Sequence, residues 1–144
     1  MRNTRSLALI AVLVIAAGAP FTHAQTPAPS GEPGTAVVSI YRVAPGKHLD
    51  FLKWQAAREA IDKAAGVAPT QWYVHTDGDS WDYVSIGPET TKEQDDKVEA
   101  MMKQKGLKTG LAGGLEFRQY VSSHTDTFAR GPMTAAQIVA MAEK

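Results

Sequence analysis

The 144-residue chain has no cysteine, no excess of charge of either sign and no apolar run long enough to span a membrane. The missing cysteines exclude disulfide scaffolds, cysteine nucleophiles, thiolate metal sites and iron–sulfur clusters. Fifteen Lys and Arg balance fifteen Asp and Glu, whereas a nucleic-acid-binding domain normally carries a basic patch. We therefore expect no nucleic-acid partner. With 44% hydrophobic and 21% charged residues, the composition is that of an ordinary globular domain.

Residues 1–24 have the pattern of a secretory signal peptide. Arg2 and Arg5 form a short basic region, and the apolar run that follows is shorter than the roughly 20 residues of a membrane span. Small residues occupy the two positions of Thr22-His23-Ala24 that signal peptidase inspects. We expect cleavage after Ala24, export to the bacterial periplasm or beyond, and no membrane span in the mature chain. An uncleaved anchor is the alternative.

The next segment, residues 25–35 (QTPAPSGEPGT), is rich in proline and glycine and has no large apolar side chain. Such a segment cannot bury enough surface to offset its ordering entropy, so it is predicted to be a disordered linker. We expect a single folded domain over residues 36–144.

Strand-like and helix-like patterns alternate along this domain. Spacings of three and four residues, with Gly66 as a left-handed cap, indicate the first helix. Thr90 with Glu93, and Thr134 with Gln137, match capping boxes that open two further helices. The predicted strands are 36–43, 70–76, 81–86 and 115–122, and the predicted helices are 47–65, 91–105 and a short one after Thr134. The order β-α-β-β-α-β predicts an α+β fold of the ferredoxin-like split βαβ type, with a four-stranded antiparallel sheet and two main helices on one face.

Strand alternation assigns the side chains to two faces of this sheet. One predicted face, expected to meet the helices, holds Val38, Ile40, Trp72, Val74, Val84 and Ile86. The other holds Ser39, Tyr41, Gln71, Tyr73, His75, Trp81, Tyr83 and Ser85. The parity of the fourth strand stays open, with Arg118 and Tyr120 on the second face in the preferred version. Because that aromatic face needs a cover, we expect a homodimer.

The element order, the aromatic second face and the strand–Pro-Gly–helix opening at residues 42–54 (RVAPGKHLDFLKW) resemble the dimeric α/β-barrel superfamily. This superfamily includes antibiotic-biosynthesis-monooxygenase-like and NIPSNAP-like proteins, and the resemblance covers about residues 36–122. It implies two sheets paired face to face, with a pocket inside the barrel or between sheet and helices. Functions across the superfamily run from cofactor-free oxygenation and haem degradation to plain ligand binding, so the fold leaves the function open.

The candidate ligand-binding residues are those of the second sheet face, and no catalytic residue is assigned. They are His75, Tyr73, Tyr41, Tyr83, Trp81 and Arg118. His75 is preferred because a histidine side chain can act as a general base or hydrogen-bond a ligand carbonyl, and the alternative is a hydrogen-bonded histidine at an interface. His124 with Asp126 is interpreted as a surface loop. The stretch 106–114 is interpreted as a flexible connector, with a lid as the alternative, and Trp54, Met101 and Met102 are interpreted as core.

No metal site and no cofactor are expected. The mature chain has three histidines on separate elements, without the spacing of metal ligands. The acidic residues at 77, 79 and 82 are interpreted as a turn because they lack the distal glutamate of a calcium loop. The haem-degrading branch carries its axial histidine on a helix, and the predicted helix 91–105 has no histidine.

These observations favour an exported, small homodimeric domain that binds a small, partly apolar or aromatic molecule. A cofactor-independent monooxygenase-like enzyme acting in the same cavity, with His75 and a tyrosine handling protons, is the alternative. In a third interpretation the aromatic face is only a dimer seam. The identity of the ligand and the presence of any catalysis stay open.

Overall fold

A computed structural model describes residues 34–143 of the chain. The predicted signal peptide and most of the predicted linker lie outside the described residues. The elements are β1 (Gly34–Val43), α1 (His48–Ala65), β2 (Gln71–Val74), β3 (Tyr83–Pro88), α2 (Lys92–Gln104), α3 (Gly110–Phe117), β4 (Val121–Gly131) and α4 (Ala135–Ala142).

The four strands form one antiparallel sheet in the order β2-β3-β1-β4. β1 is a central strand, and it pairs with β4 along its whole length with one shift in register between Arg42 and Val43. Consecutive strands β2 and β3 form a hairpin, whereas β1 and β4 are far apart in sequence and meet at the other edge. This order is the one that the split βαβ arrangement requires, and the predicted fold class is confirmed.

The helix ends follow local sequence signals. Gly66 ends α1 in the left-handed conformation, with φ of 89°, and Gly106 has φ of 73° just beyond α2. The predicted capping box of Thr134 with Gln137 is confirmed at the start of α4. The box at the start of α2 lies one residue later than predicted, because Thr91 pairs with Gln94. Each of these signals depends on residues only three or four positions apart, so it can be recognised from the sequence alone.

The last third of the domain differs from the prediction. The segment 115–122, predicted as the fourth strand, is instead the end of the additional helix α3, a turn and the first residues of β4. Gly113 and Phe117 are four residues apart, so they lie on the same side of α3. This side of the helix faces the rest of the domain. The true fourth strand, VSSHTDTFARG, has little apolar alternation. Its backbone is held by pairing with β1, which local pattern does not reveal.

The assignment of β1 and β3 to the two sheet faces is also corrected. Ser39 pairs with Ser85 and Tyr41 with Tyr83, and all four side chains are buried on the helix side of the sheet. Trp72 of β2 is on this helix side, as predicted, because it pairs with Ser85. The aliphatic residues predicted to meet the helices from β1 and β3 lie on the opposite side, which we call the open face: Val38, Ile40, Val84 and Ile86. Both faces are apolar enough to be buried, so apolarity alone does not distinguish them.

The hydroxyl groups of the two buried tyrosines have partners. Tyr41 Oη lies 3.3 Å from Ser85 Oγ, and Tyr83 Oη lies 3.3 Å from His48 Nδ1. These contacts offset the cost of removing polar groups from water. Burial, with the nearby charge of Asp82 as a second cause, raises the pKa of Tyr83.

The core occupies one end of the space between sheet and helices. It consists of Tyr41, Val43, Phe51, Tyr83 and Val121, with Trp72, Phe117 and Tyr120 packed against it. Phe51 is fully buried and contacts the rings of Tyr41, Trp72, Tyr83 and Phe117. Towards the beginning of β1 the packing thins, since α2 has no buried residue. The space left there is a cleft.

Candidate functional site

A cleft of about 620 Å³ lies between the helix side of the sheet and the helices α1, α2 and α3. We call it the sheet–helix cleft. Its floor is formed by Val37, Ser39 and Tyr41 of β1 and by His124 and Asp126 of β4. Side chains two residues apart on a strand point to the same side, so each of the two strands directs alternate residues into the cleft.

His124 and Asp126 are the titratable pair of this floor. His124 Nε2 lies 3.5 Å from Asp126 Oδ2. The imidazole packs edge-on against the Phe117 ring, with centroids 4.8 Å apart, and Tyr41 is its cross-strand partner. The interpretation of this pair as a surface loop is therefore wrong. The sequence signal was the His-x-Asp spacing, and it was discounted because the fourth strand was placed too early along the chain.

The walls of the cleft combine apolar side chains with polar and charged ones. Trp54 of α1, Val98 and Met102 of α2, and Phe117 of α3 are the apolar ones. The polar and charged ones are Gln55, Arg58, Asp95, Glu99, Lys108 and Thr109. Trp54 also contacts the rings of Phe117 and Tyr120, with centroids 5.5 and 6.1 Å apart. Trp54 and Met102 were predicted to be core rather than pocket lining, and the structure corrects both. Small-molecule sites likewise combine apolar surface with polar groups that fix the orientation of the ligand.

One side of the cleft is closed by a polar cluster around Glu116, which we call the Glu116 clasp. Glu116 accepts a hydrogen bond of 2.8 Å from Trp54 Nε1. It also forms ion pairs with Arg58 at 3.5 Å and with Lys108 at 3.4 Å. The Arg58 guanidinium stacks on Trp54, 3.4 Å from the ring centroid, and donates a 2.9 Å hydrogen bond to the Lys108 carbonyl. The clasp thus joins α1 to α3 and to the connector before α3.

The electrostatics of the clasp favour its charged form. The Trp54 hydrogen bond, followed by attraction to Lys108 and Arg58, lowers the pKa of Glu116 although partial burial opposes this. Burial lowers the pKa of Arg58, and the nearby Glu116 carboxylate opposes that shift. A guanidinium remains protonated in proteins, so both groups are charged at neutral pH.

His75 and Trp81 are placed at the β2–β3 edge of the sheet. Their rings lie 4.9 Å apart, and the His75 backbone N–H donates to the Asp82 carbonyl. Nε2 of His75 is buried without a hydrogen-bond partner among residues 34–143. Neither side chain lines the sheet–helix cleft. A role for this pair in ligand binding stays a prediction.

The other four predicted residues do not meet in one cavity. Tyr41 is in the floor of the cleft, and Tyr83 lies in the core on the helix side. Tyr73 is half exposed on the open face, where its hydroxyl donates to Gln71. Arg118 is exposed in the turn after α3. Tyr41 is therefore the predicted ligand-binding residue that lies beside His124 in the floor of the cleft.

Within residues 34–143 no group of three or more His, Asp or Glu side chains is positioned to hold a metal ion. In the same part of the chain, no helix is both long and apolar enough to cross a membrane.

No protein-family model and no curated protein matches the chain. Among solved structures it is similar to SnoaB, a cofactor-independent oxygenase from Streptomyces nogalater, with 17% identity over 73% of this chain and 98% of that chain and a TM-score of 0.49. A NIPSNAP family protein from Agrobacterium tumefaciens matches with 15% identity over 70% and 94% of the two chains and a TM-score of 0.46. An uncharacterised NIPSNAP domain protein from Burkholderia xenovorans matches with 13% identity over 70% and 96% and a TM-score of 0.44. Two of these three neighbours are described as NIPSNAP proteins, one of the groups that the sequence resembles.

Proposed function

We propose that the chain is an exported, homodimeric domain that binds a small, partly apolar molecule in the sheet–helix cleft. The observation that carries this proposal is the cleft itself. Its volume of about 620 Å³ is within the range of roughly 300–1,000 Å³ that small-molecule sites occupy. Its aromatic and aliphatic side chains give a ligand a hydrophobic surface, and its polar and charged side chains can fix the orientation of the ligand.

The residues of the cleft have distinct roles in this proposal. The rings of Trp54 and Phe117 provide aromatic surface for an apolar or planar portion of the ligand. His124 offers a ring nitrogen as donor or acceptor, and Asp126 Oδ2 lies 3.5 Å from its Nε2. A ligand with one polar group on an apolar body fits this division.

Dansylamide, a neutral fluorescent sulfonamide, is a suitable probe of the cleft. We expect its fluorescence to rise on titration with the protein. Val98→Trp places a large ring in the cleft and is expected to weaken binding at least about tenfold, through the loss of space for the probe. Val139→Trp, the same change on the exposed helix α4, is the matched control and should bind as the wild type does. Equal affinity of the two variants would remove the cleft from the binding site.

The homodimer is supported by the open face of the sheet. This face carries Val38, Ile40, Val84 and Ile86 together with Tyr73. Ile40, on the central strand β1, is 40% exposed, and Tyr73, on the edge strand β2, is 50% exposed. The open face therefore has apolar surface available for a partner. A second copy would bury the same residues on both partners, as a two-fold interface requires.

Export is supported by the signal pattern of residues 1–24. The mature protein recovered from the periplasm or the medium is expected to begin at Gln25, which intact mass spectrometry measures. A mass that still contains residues 1–24 would contradict cleavage.

A monooxygenase-like activity without a cofactor is the second candidate function. The specific observation that favours it is the His124–Asp126 pair in the cleft floor beside Tyr41, since a paired histidine can accept a proton from a bound substrate. Oxygen consumption with quinols or phenols distinguishes the candidates. A binding domain leaves the oxygen level unchanged, whereas an enzyme consumes oxygen and loses this activity in His124→Ala.

A further inference from the structure

A second cavity, of about 340 Å³, lies on the far side of the Glu116 clasp. Trp54, Arg58 and Lys108 line both this cavity and the sheet–helix cleft. The clasp therefore lies where the two cavities meet, and its side chains form the wall that they share.

A single carboxylate holds this wall together. Glu116 is the common partner of the Trp54 indole, the Arg58 guanidinium and the Lys108 ammonium. The Arg58 and Glu116 side chains are only 12% and 21% exposed, so their attraction is screened less than that of a surface pair. Without the negative charge, the Arg58 and Lys108 cations would have no anion between them, and Trp54 Nε1 would have at most a neutral acceptor.

We propose that the Glu116 clasp sets the length of the ligand that the cleft accepts, with Glu116 as the specificity-determining residue. This inference rests on the proposed function of the cleft. With the clasp closed, the cleft takes a compact ligand. With the clasp opened, the two cavities join, and a ligand that carries an alkyl chain extends past Trp54 into the second cavity.

The size of the effect follows from burial of the chain. Each methylene group newly removed from water raises affinity about fourfold. Two methylenes that enter the second cavity are therefore enough for a gain of roughly tenfold.

The test compares two neutral probes, dansylamide and N-hexyl dansylamide, on the full mature chain. Neutral probes are needed because removal of Glu116 leaves positive charge that would attract an anionic chain. The first variant is Glu116→Gln, which removes the negative charge and keeps the side-chain shape. The second variant is Lys108→Gln, which removes one partner of Glu116 in the clasp. It provides the test if Glu116→Gln fails to fold. Asp96→Asn is the matched control, because it breaks an exposed ion pair with Lys92 on α2 outside both cavities.

The wild type and Asp96→Asn are expected to bind the two probes with affinities within about threefold. Glu116→Gln is expected to bind the hexyl probe about tenfold more tightly than dansylamide, and Lys108→Gln is expected to show a smaller gain in the same direction. A general loosening of the fold would not produce this preference for the longer probe. If dansylamide binds but the ratio of affinities is the same in all variants, the clasp does not set ligand length. If the wild type binds neither probe, the proposed function itself fails.

Discussion

Two adjacent glycines of α3, Gly113 and Gly114, should respond in opposite ways to the same substitution. A Cβ atom at Gly113 would lie 2.8 Å from the Lys108 carbonyl oxygen and 3.3 Å from its carbon. At Gly114 no atom lies within 4 Å of the added Cβ. Both positions are in the interior of the helix, so each replacement gains the same helix propensity.

The expected magnitudes follow from these distances. Gly114→Ala should raise the free energy of unfolding by about 0.5–1 kcal/mol, the propensity difference between glycine and alanine. Gly113→Ala has the same gain but must displace backbone, and overpacking of this kind costs about 1–3 kcal/mol. The alanine at 113 should therefore leave the protein about 1–3 kcal/mol less stable than the alanine at 114.

Urea denaturation followed by tryptophan fluorescence measures this difference. The slope of the unfolding free energy against urea should be the same in both variants, so that the midpoints report stability alone. A common stabilisation of both variants would refute the close approach of α3 to the connector at Lys108. It would also remove the reason for a glycine at position 113, where the chain closes one side of the cleft.

Three further predictions address the dimer, the cleft and the ionisation of α1. Ile40→Asp is expected to convert a dimer to a monomer in light scattering with unchanged circular dichroism, because a carboxylate would be buried without a partner, whereas Leu111→Asp, at a highly exposed position, should leave the dimer intact. His124→Ala should weaken dansylamide binding by about 1–3 kcal/mol if a buried hydrogen bond is lost. His75→Ala, titrated in parallel, should bind dansylamide as the wild type does because His75 does not line the cleft, and the reverse result would support the ligand site predicted from the sequence. Burial raises the pKa of Asp62 above its ordinary 3.8. The ionised carboxylate therefore lowers the stability of the folded state. This loss of stability is fully present above the pKa of Asp62 in the folded state and absent below its pKa in the unfolded state. Asp62→Asn should therefore raise the melting temperature at pH 7, with a difference that shrinks as the pH is lowered towards 3.8, and a constant difference across pH would contradict the assignment.

The role of two residues in the cleft floor, His124 and Asp126, could not be predicted from the sequence. The spacing of His124 and Asp126 is visible in the sequence, but its meaning depends on β4, whose residues are mostly polar and exposed. β4 is held by hydrogen bonds to β1, about 90 residues earlier in the chain, and no local pattern reports such a pairing. The same holds for the Glu116 clasp, because Glu116 and Trp54 are 62 residues apart.

The sequence by itself determined the first five elements of the domain, the end of α1, the start of α4 and the class of the fold. Those features depend on apolar periodicity, on glycines such as Gly66 and on capping boxes such as that of Thr134, which all act within a few residues. Only the tertiary structure decided which sheet face is buried. Tyr41 and Tyr83 enter the core because Phe51 packs against both rings and their hydroxyl groups have hydrogen-bond partners, while aliphatic residues remain on the open face. The position of the cleft follows from that choice, since it occupies the space that the core leaves under the beginning of β1.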